Sequence, residues 1–155
     1  SDFNGTVKLS NSQYKEDPNH PVNIVEYFEV DNVEYVSPGD LLVVSEQGNA
    51  VLSRSRKAYA TSVIGVVSGN PTMVINNSNK EEKIYPVVLA GKALCKVDAR
   101  NNPIKPGDLI VTSDTPGCGM AGAIDSFDKV GSVIGKALTS LEDGVDVIQV
   151  FISHK

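Results

Sequence analysis

Apolar residues come along the chain in short runs rich in valine and isoleucine: LLVVS at 41–45, TSVIGVVS at 61–68, YPVVLAG at 85–91, DLIVTS at 108–113, GSVIGKAL at 131–138 and DVIQVFIS at 146–153. Turn formers bound each run, and the 13 glycines and 8 prolines of the 155 residues are spread evenly among them. Runs of this length and composition predict strands. An apolar period of 3.6 over eleven or more positions, the mark of an amphipathic helix, is hard to find. The stretch 123–130 is a weak exception. The pattern therefore predicts an all-β chain with little helix, built as a compact β-barrel or β-clip-like body.

One segment occurs twice. SPGDLLVVS at 37–45 returns as KPGDLIVTS at 105–113. Pro38 and Pro106 pre-set φ for the second position of a turn. Gly39 and Gly107 supply the positive φ of the third. Asp40 and Asp108 can accept hydrogen bonds from nearby backbone amides and hold the turn closed. These six residues are read as structural turns. The repeat continues, since SVIGVVS at 62–68 matches SVIGKAL at 132–138. Gly65 and Gly135 are expected where a strand bulges or backbones approach closely. The chain thus divides into a linker or N-terminal extension at 1–21 and a β-rich domain at 22–155. Its halves run from about 22 to 75 and from about 84 to 152. Two such halves around a pseudo-twofold axis are expected to share one core. NNSNKEEKIYP between them reads as a polar loop with its tip at 76–82.

Charge and candidate chemistry narrow the function. A net charge of -5 argues against a nucleic-acid surface, which needs clustered Lys and Arg. RSRK at 54–57 is the one dense basic stretch and reads as a solvated loop. No apolar run approaches a membrane helix, and the polar start lacks a signal-peptide core. Cys95 and Cys118 share no CxxC spacing, so free, partly buried thiols are expected and a metal site is not. A thiol nucleophile would need a histidine, and the two present, His20 and His154, lie near the termini. GSVIGK at 131–136 is no phosphate loop: three residues separate its glycines, where four are needed, and Ala137 follows the lysine.

VNIVEYFEVDN at 22–32 is the most distinctive stretch. It carries Glu26, Glu29 and Asp31 among apolar residues. On a strand, Glu26 and Glu29 point to opposite faces because their separation is odd. Paired carboxylates do acid–base work when their surroundings push their pKa values apart.

The EYFE core at 26–29, the following PGD turn, VIGVVSGNP at 63–71, YPVVLAGKALCKVDA at 85–99 and IKPGDLIVTSDTPG at 104–117 together resemble the C-terminal intramolecular chaperone domains of phage tail spikes and fibres. The C-terminal domain of a phage preneck appendage protein is one of these. The resemblance covers roughly residues 22–152. It implies a homotrimer, a β-helical spike domain upstream in the same polypeptide, and self-cleavage at the N-terminal border by carboxylate chemistry of the glutamic or aspartic type. It also implies release linked to ATP, and action in the host cytoplasm during assembly or on the virion. Carried over position by position, it puts Glu26 and Glu29 in the cutting site. The acid that the family places three residues before the first glutamate falls on Asn23, and an amide cannot act as base or nucleophile. Either this copy does not cut, or Asp2, Glu16 or Asp17 takes the part. Tyr27 and Phe28 read as packing groups. The alternative is a non-enzymatic structural, adhesive or capping module. No cofactor or nucleophile constellation supports a metabolic enzyme. Aromatics at 6% and the lack of tryptophan make glycan binding the weaker branch.

Overall fold

The computed structural model describes residues 23–31, 35–77 and 80–154. Ten strands follow one another: β1 (Asn23–Val30), β2 (Leu41–Val44), β3 (Val51–Arg54), β4 (Val63–Val67), β5 (Met73–Asn77), β6 (Lys80–Asp98), β7 (Leu109–Thr112), β8 (Gly119–Ala121), β9 (Val133–Ala137) and β10 (Val145–Ile152). The all-β expectation holds. Residues 123–130 make only a 3-10 turn, Phe127–Lys129, with no buried side chain. The strands form one mixed sheet in the order β1-β3-β2-β4-β6-β10-β9-β7-β8. Two further pairings, β1 with β6 and β6 with β8, bring each end of that path back to β6. The ladder thus closes twice, through β1-β3-β2-β4-β6 and through β6-β10-β9-β7-β8.

The two closures repeat each other at the level of single hydrogen bonds. β2 pairs antiparallel with β4 as Leu42↔Gly65, with a bulge after Leu42. β7 pairs with β9 as Ile110↔Gly135, with a bulge after Ile110. β1 lies parallel to β3 as Val30↔Leu52, and β6 lies parallel to β8 as Val97↔Gly119. Both PGD turns are built alike. Ser37 N–H donates to Asp40 Oδ2 at 2.8 Å, and Lys105 N–H donates to Asp108 Oδ2 at 2.9 Å. Gly39 and Gly107 take φ of 95° and 92°. By this equivalence the second half of β6 plays for the second unit the part that β1 plays for the first. The 19 residues of β6 therefore belong to both units.

Where one shared core was expected, two apolar clusters form. One contains Val30, Leu42, Leu52, Val67, Tyr85 and Val87. The other contains their counterparts Val97, Ile110, Ala137, Ile148 and Val150, together with Leu41, Val66 and Val88 from the first unit. The reason is the pleat. Successive side chains on β2, β4 and β6 point to opposite faces, so one set fills the first closure while the other packs on the second. Each fully buried valine or leucine contributes about 1.5–3 kcal/mol.

The polar stretch read as a loop is largely strand. β5 and the start of β6 pair from Met73↔Ile84 to Asn77↔Lys80. An antiparallel ladder uses backbone groups, and a strand with a solvated face accepts polar side chains. Residues 78–79, part of the expected tip at 76–82, lie outside the described residues. The proposed linker at 1–21 lies outside them too.

Gly65 and Gly135 sit where strands come close. A Cβ on Gly65 would lie 2.3 Å from the Val88 carbonyl oxygen, and one on Gly135 would lie 2.0 Å from that of Phe151. Gly65→Ala and Gly135→Ala are each expected to cost about 2 kcal/mol or more by overpacking, which lowers the thermal midpoint by about 4–8 °C. Gly69→Ala is the control, since its Cβ would meet only Pro86 Cγ at 3.4 Å. Equal midpoints for all three variants in a calorimetric scan would contradict the close-approach reading.

Candidate functional site

β1 is held along its whole length by β6, from Asn23↔Gly91 to Val30↔Lys83. Phe28 lies opposite Tyr85 and packs on the first cluster, as expected. Tyr27 departs from expectation. It lies opposite Pro86 on the outer face and is 58% exposed. Glu26, opposite Val87, belongs to the inward-facing set but is exposed. Glu29, opposite Ile84, belongs to the outer set and is half-buried. The two glutamates leave the strand on opposite faces and form no pair.

Asn23 has a structural role. Its Nδ2 donates to the Lys92 carbonyl at 2.9 Å and pins the start of β1 to the middle of β6. Asp2, Glu16 and Asp17 lie outside the described residues. Asp31 is also structural: its Oδ2 accepts from Ser45 Oγ at 3.0 Å and Ser53 Oγ at 2.6 Å, tying the end of β1 to the β2–β3 hairpin.

The carboxyl partner of Glu29 is Glu82. On β6, Glu82 is two residues from Ile84, which faces Glu29, so the two acids are diagonal neighbours on one face. Long side chains reach across such a diagonal. Hydrogen bonding to Glu82 raises the pKa of Glu29 above its ordinary 4.5; burial and the charge of Glu82 add to this. Two carboxyls that share a proton are the arrangement from which acid–base pairs are made. Sequence reading missed Glu82 because KEEK at 80–83 looked like a loop tip. The alternation of acid and apolar residue in Glu82 and Ile84 was the available signal.

The two turn aspartates share a backbone role but not an environment. Asp108 is exposed. Asp40 is fully buried, and its Oδ1 pairs with Lys96 Nζ at 2.9 Å. Lys96 Nζ also donates to Ser37 Oγ at 2.5 Å, and Leu41 N–H donates to the Gly117 carbonyl at 2.9 Å. The first PGD turn is therefore locked onto the second unit. Breaking a buried pair of this kind costs about 3–5 kcal/mol.

Elsewhere Asp98 accepts hydrogen bonds from Arg100 and Thr115, which hold its carboxyl well below the usual carboxylate range. Both cysteines are free and buried. Burial pushes the Cys95 thiol up to about 12 and that of Cys118 up as well, which makes both poor nucleophiles. The basic stretch is only partly a loop, since Arg54 ends β3 and is half-buried. Arg54, Arg56 and Lys57 line a cleft of about 420 Å³ with Asp31, Glu46 and Ser45. Among the described residues no three His, Cys, Asp or Glu side chains gather to hold a metal.

The fold is one found in a bacteriophage protein. The crystal structure of pre-mature bacteriophage phi29 gene product 12 superposes with a TM-score of 0.57 at 12% sequence identity, over 87% of this chain. The chain spans 22% of that protein's length. No protein-family model matches the chain, and no curated protein matches it. At such low identity the likeness is one of fold.

Glu29 supplies a pH test. Its raised pKa means that the proton it shares with Glu82 stabilises the fold fully below about pH 4.5, and this is lost as pH rises through the raised value. Where both carboxyls are ionised, two like charges stand side by side. Glu82→Gln keeps a hydrogen-bonding group and removes one charge. It is expected to raise the melting midpoint at pH 7 and to lose that gain at pH 4. A gain of equal size at both pH values, or none at pH 7, would show that the two carboxyls do not interact.

Proposed function

We propose that this chain is the assembly domain at the C-terminal end of a phage tail spike-like or fibre-like protein. In this reading it acts as an intramolecular chaperone: three copies associate and bring together the β-helical segments upstream of each. The observation that carries the reading is the fold shared with phi29 gene product 12 over most of the chain. The resemblance of EYFE, both PGD turns and the strand motifs to spike and fibre chaperone domains points the same way. The structural neighbour is the pre-mature protein, and a domain present before maturation suits a part needed during assembly.

Release by self-cutting at the N-terminal border belongs to the same reading, with Glu26 and Glu29 as the acids on β1. A site that forms only when copies meet would delay cutting until assembly is complete, because peptide hydrolysis needs its groups held in place. Two observations favour a second reading, a structural or capping module that stays attached. Position 23 holds an amide engaged with the Lys92 carbonyl, and Glu26 and Glu29 project from opposite faces of β1.

The test expresses the domain with its native upstream segment and follows it by light scattering and on a denaturing gel. The proposal predicts a trimer and a fragment the size of this domain, lost in Glu26→Gln or Glu29→Gln. A folded trimer that stays full length would leave the chaperone role and remove the cutting. A folded monomer would overturn both.

A further inference from the structure

The turn that leads into β10 brings an amide nitrogen against a carboxyl group of its own chain. Among the described residues, Asp143–Gly144 is the only place where an Asp or Asn is followed by glycine. Asp143 is exposed. The Gly144 N–H donates to Asp143 Oδ1 at 2.8 Å, so the carboxyl carbon lies one bond beyond that contact. Groups held this close react as neighbours, without an encounter step. Gly144 takes φ of 84°, and a Cβ placed on it would meet nothing within 4 Å. No side chain at 144 shields the nitrogen. Other exposed aspartates differ. Asp108 accepts from the Lys105 N–H, three residues back, and is followed by leucine. Asp125 is followed by serine, and its Oδ1 pairs with Lys129 Nζ at 2.9 Å.

From this contact we propose that Asp143–Gly144 is a site of spontaneous backbone modification, at which the aspartate converts to isoaspartate. The Gly144 nitrogen attacks the Asp143 carboxyl carbon. A C–N bond forms and a C–O bond breaks. The oxygen leaves as water, with the carboxyl proton and the amide proton. The product is a five-membered succinimide. Water then adds to the main-chain carbonyl carbon of Asp143, and the C–N bond there breaks. The chain now continues through the former side chain. The water lost is regained, so the mass is unchanged, and no oxidant, cofactor or partner takes part. The position gives the change a structural consequence. The Gly144 carbonyl accepts from the Ala99 N–H at 2.7 Å, and the next residue opens the ladder with β6 as Val145↔Asp98. Isoaspartate adds one carbon to the main chain just before both contacts, so it loosens the end of that ladder.

The experiment keeps the folded chain in heavy-oxygen water at neutral pH, digests it at intervals in ordinary water, and separates the peptides with mass detection. Ring opening marks the product with heavy oxygen. A second peptide containing 143–144 is expected to grow in with that label and to accept a methyl group from an isoaspartyl methyltransferase. In Asp143→Glu, where the ring would be six-membered, it is expected to form at least about ten-fold more slowly. The changed position is exposed, and circular dichroism checks that the variant folds. Equal label and methyl acceptance at Asp143 and Asp125 would overturn the inference. So would a folded chain that stays unreacted while the chain in denaturant reacts. An aged, isoaspartate-bearing chain that melts at the temperature of the fresh one would overturn the loosening of the ladder.

Discussion

β6 has to satisfy two closed hydrogen-bond networks at once, and the rest of the fold is arranged around that requirement. Its first half pairs with β1, β4 and β5, and its second half with β8 and β10. The exchange of partners happens at Gly91, which pairs with Asn23 of β1 and with Ile152 of β10. Gly91 has φ of 103°, a conformation that side-chain-bearing residues rarely adopt. The strand can change direction there without breaking either ladder. Asn23 adds its side-chain hydrogen bond to Lys92 at the same place. The Asp40–Lys96 pair then fixes the first unit's turn to β6 beyond the crossover.

The second unit keeps the backbone of the first and spends its side chains differently. Asp40 and Asp108 accept the same local amide bond, yet one is buried against a lysine and the other meets solvent. Leu41, Val66 and Val88 join the second unit's cluster. Their counterparts Leu109, Lys136 and Phe151 are half-buried or exposed. The first unit's outward apolar set has thus become an internal contact. The second unit's equivalent set stays half-buried or exposed among the described residues and includes Lys136. That asymmetry is what gives the chain two different outer faces.

Much of the fold was legible in the chain, because turns and short valine-rich strands are local. The PGD turns follow from the φ preferences of proline and glycine, and Gly65 and Gly135 from the cost of a Cβ in a tight strand approach. What was not legible is non-local. Pro86 and Gly91 interrupt β6, so it reads as separate pieces, and only its pairing shows one strand. Met73-Val74 was passed over because the polar stretch that follows looked like a loop. The site was less legible still. The odd spacing of Glu26 and Glu29 correctly put them on opposite faces. Nothing in the linear order brings Glu82 to Glu29, since that contact depends on the β1–β6 register. Tyr27 was expected to pack, and its exposure becomes intelligible only beside Leu94, the residue that occupies its place in the second unit.

A duplicated body that shares one strand should behave as one cooperative unit. Native-state hydrogen exchange measures this directly, by comparing the amides of β6 before and after Gly91 as denaturant is added. The account predicts that Val87 and Val97 exchange through the same opening, with equal free energies and equal denaturant slopes. If Val97 stays protected after Val87 has exchanged, or the reverse, the two units open separately and β6 does not bind them together.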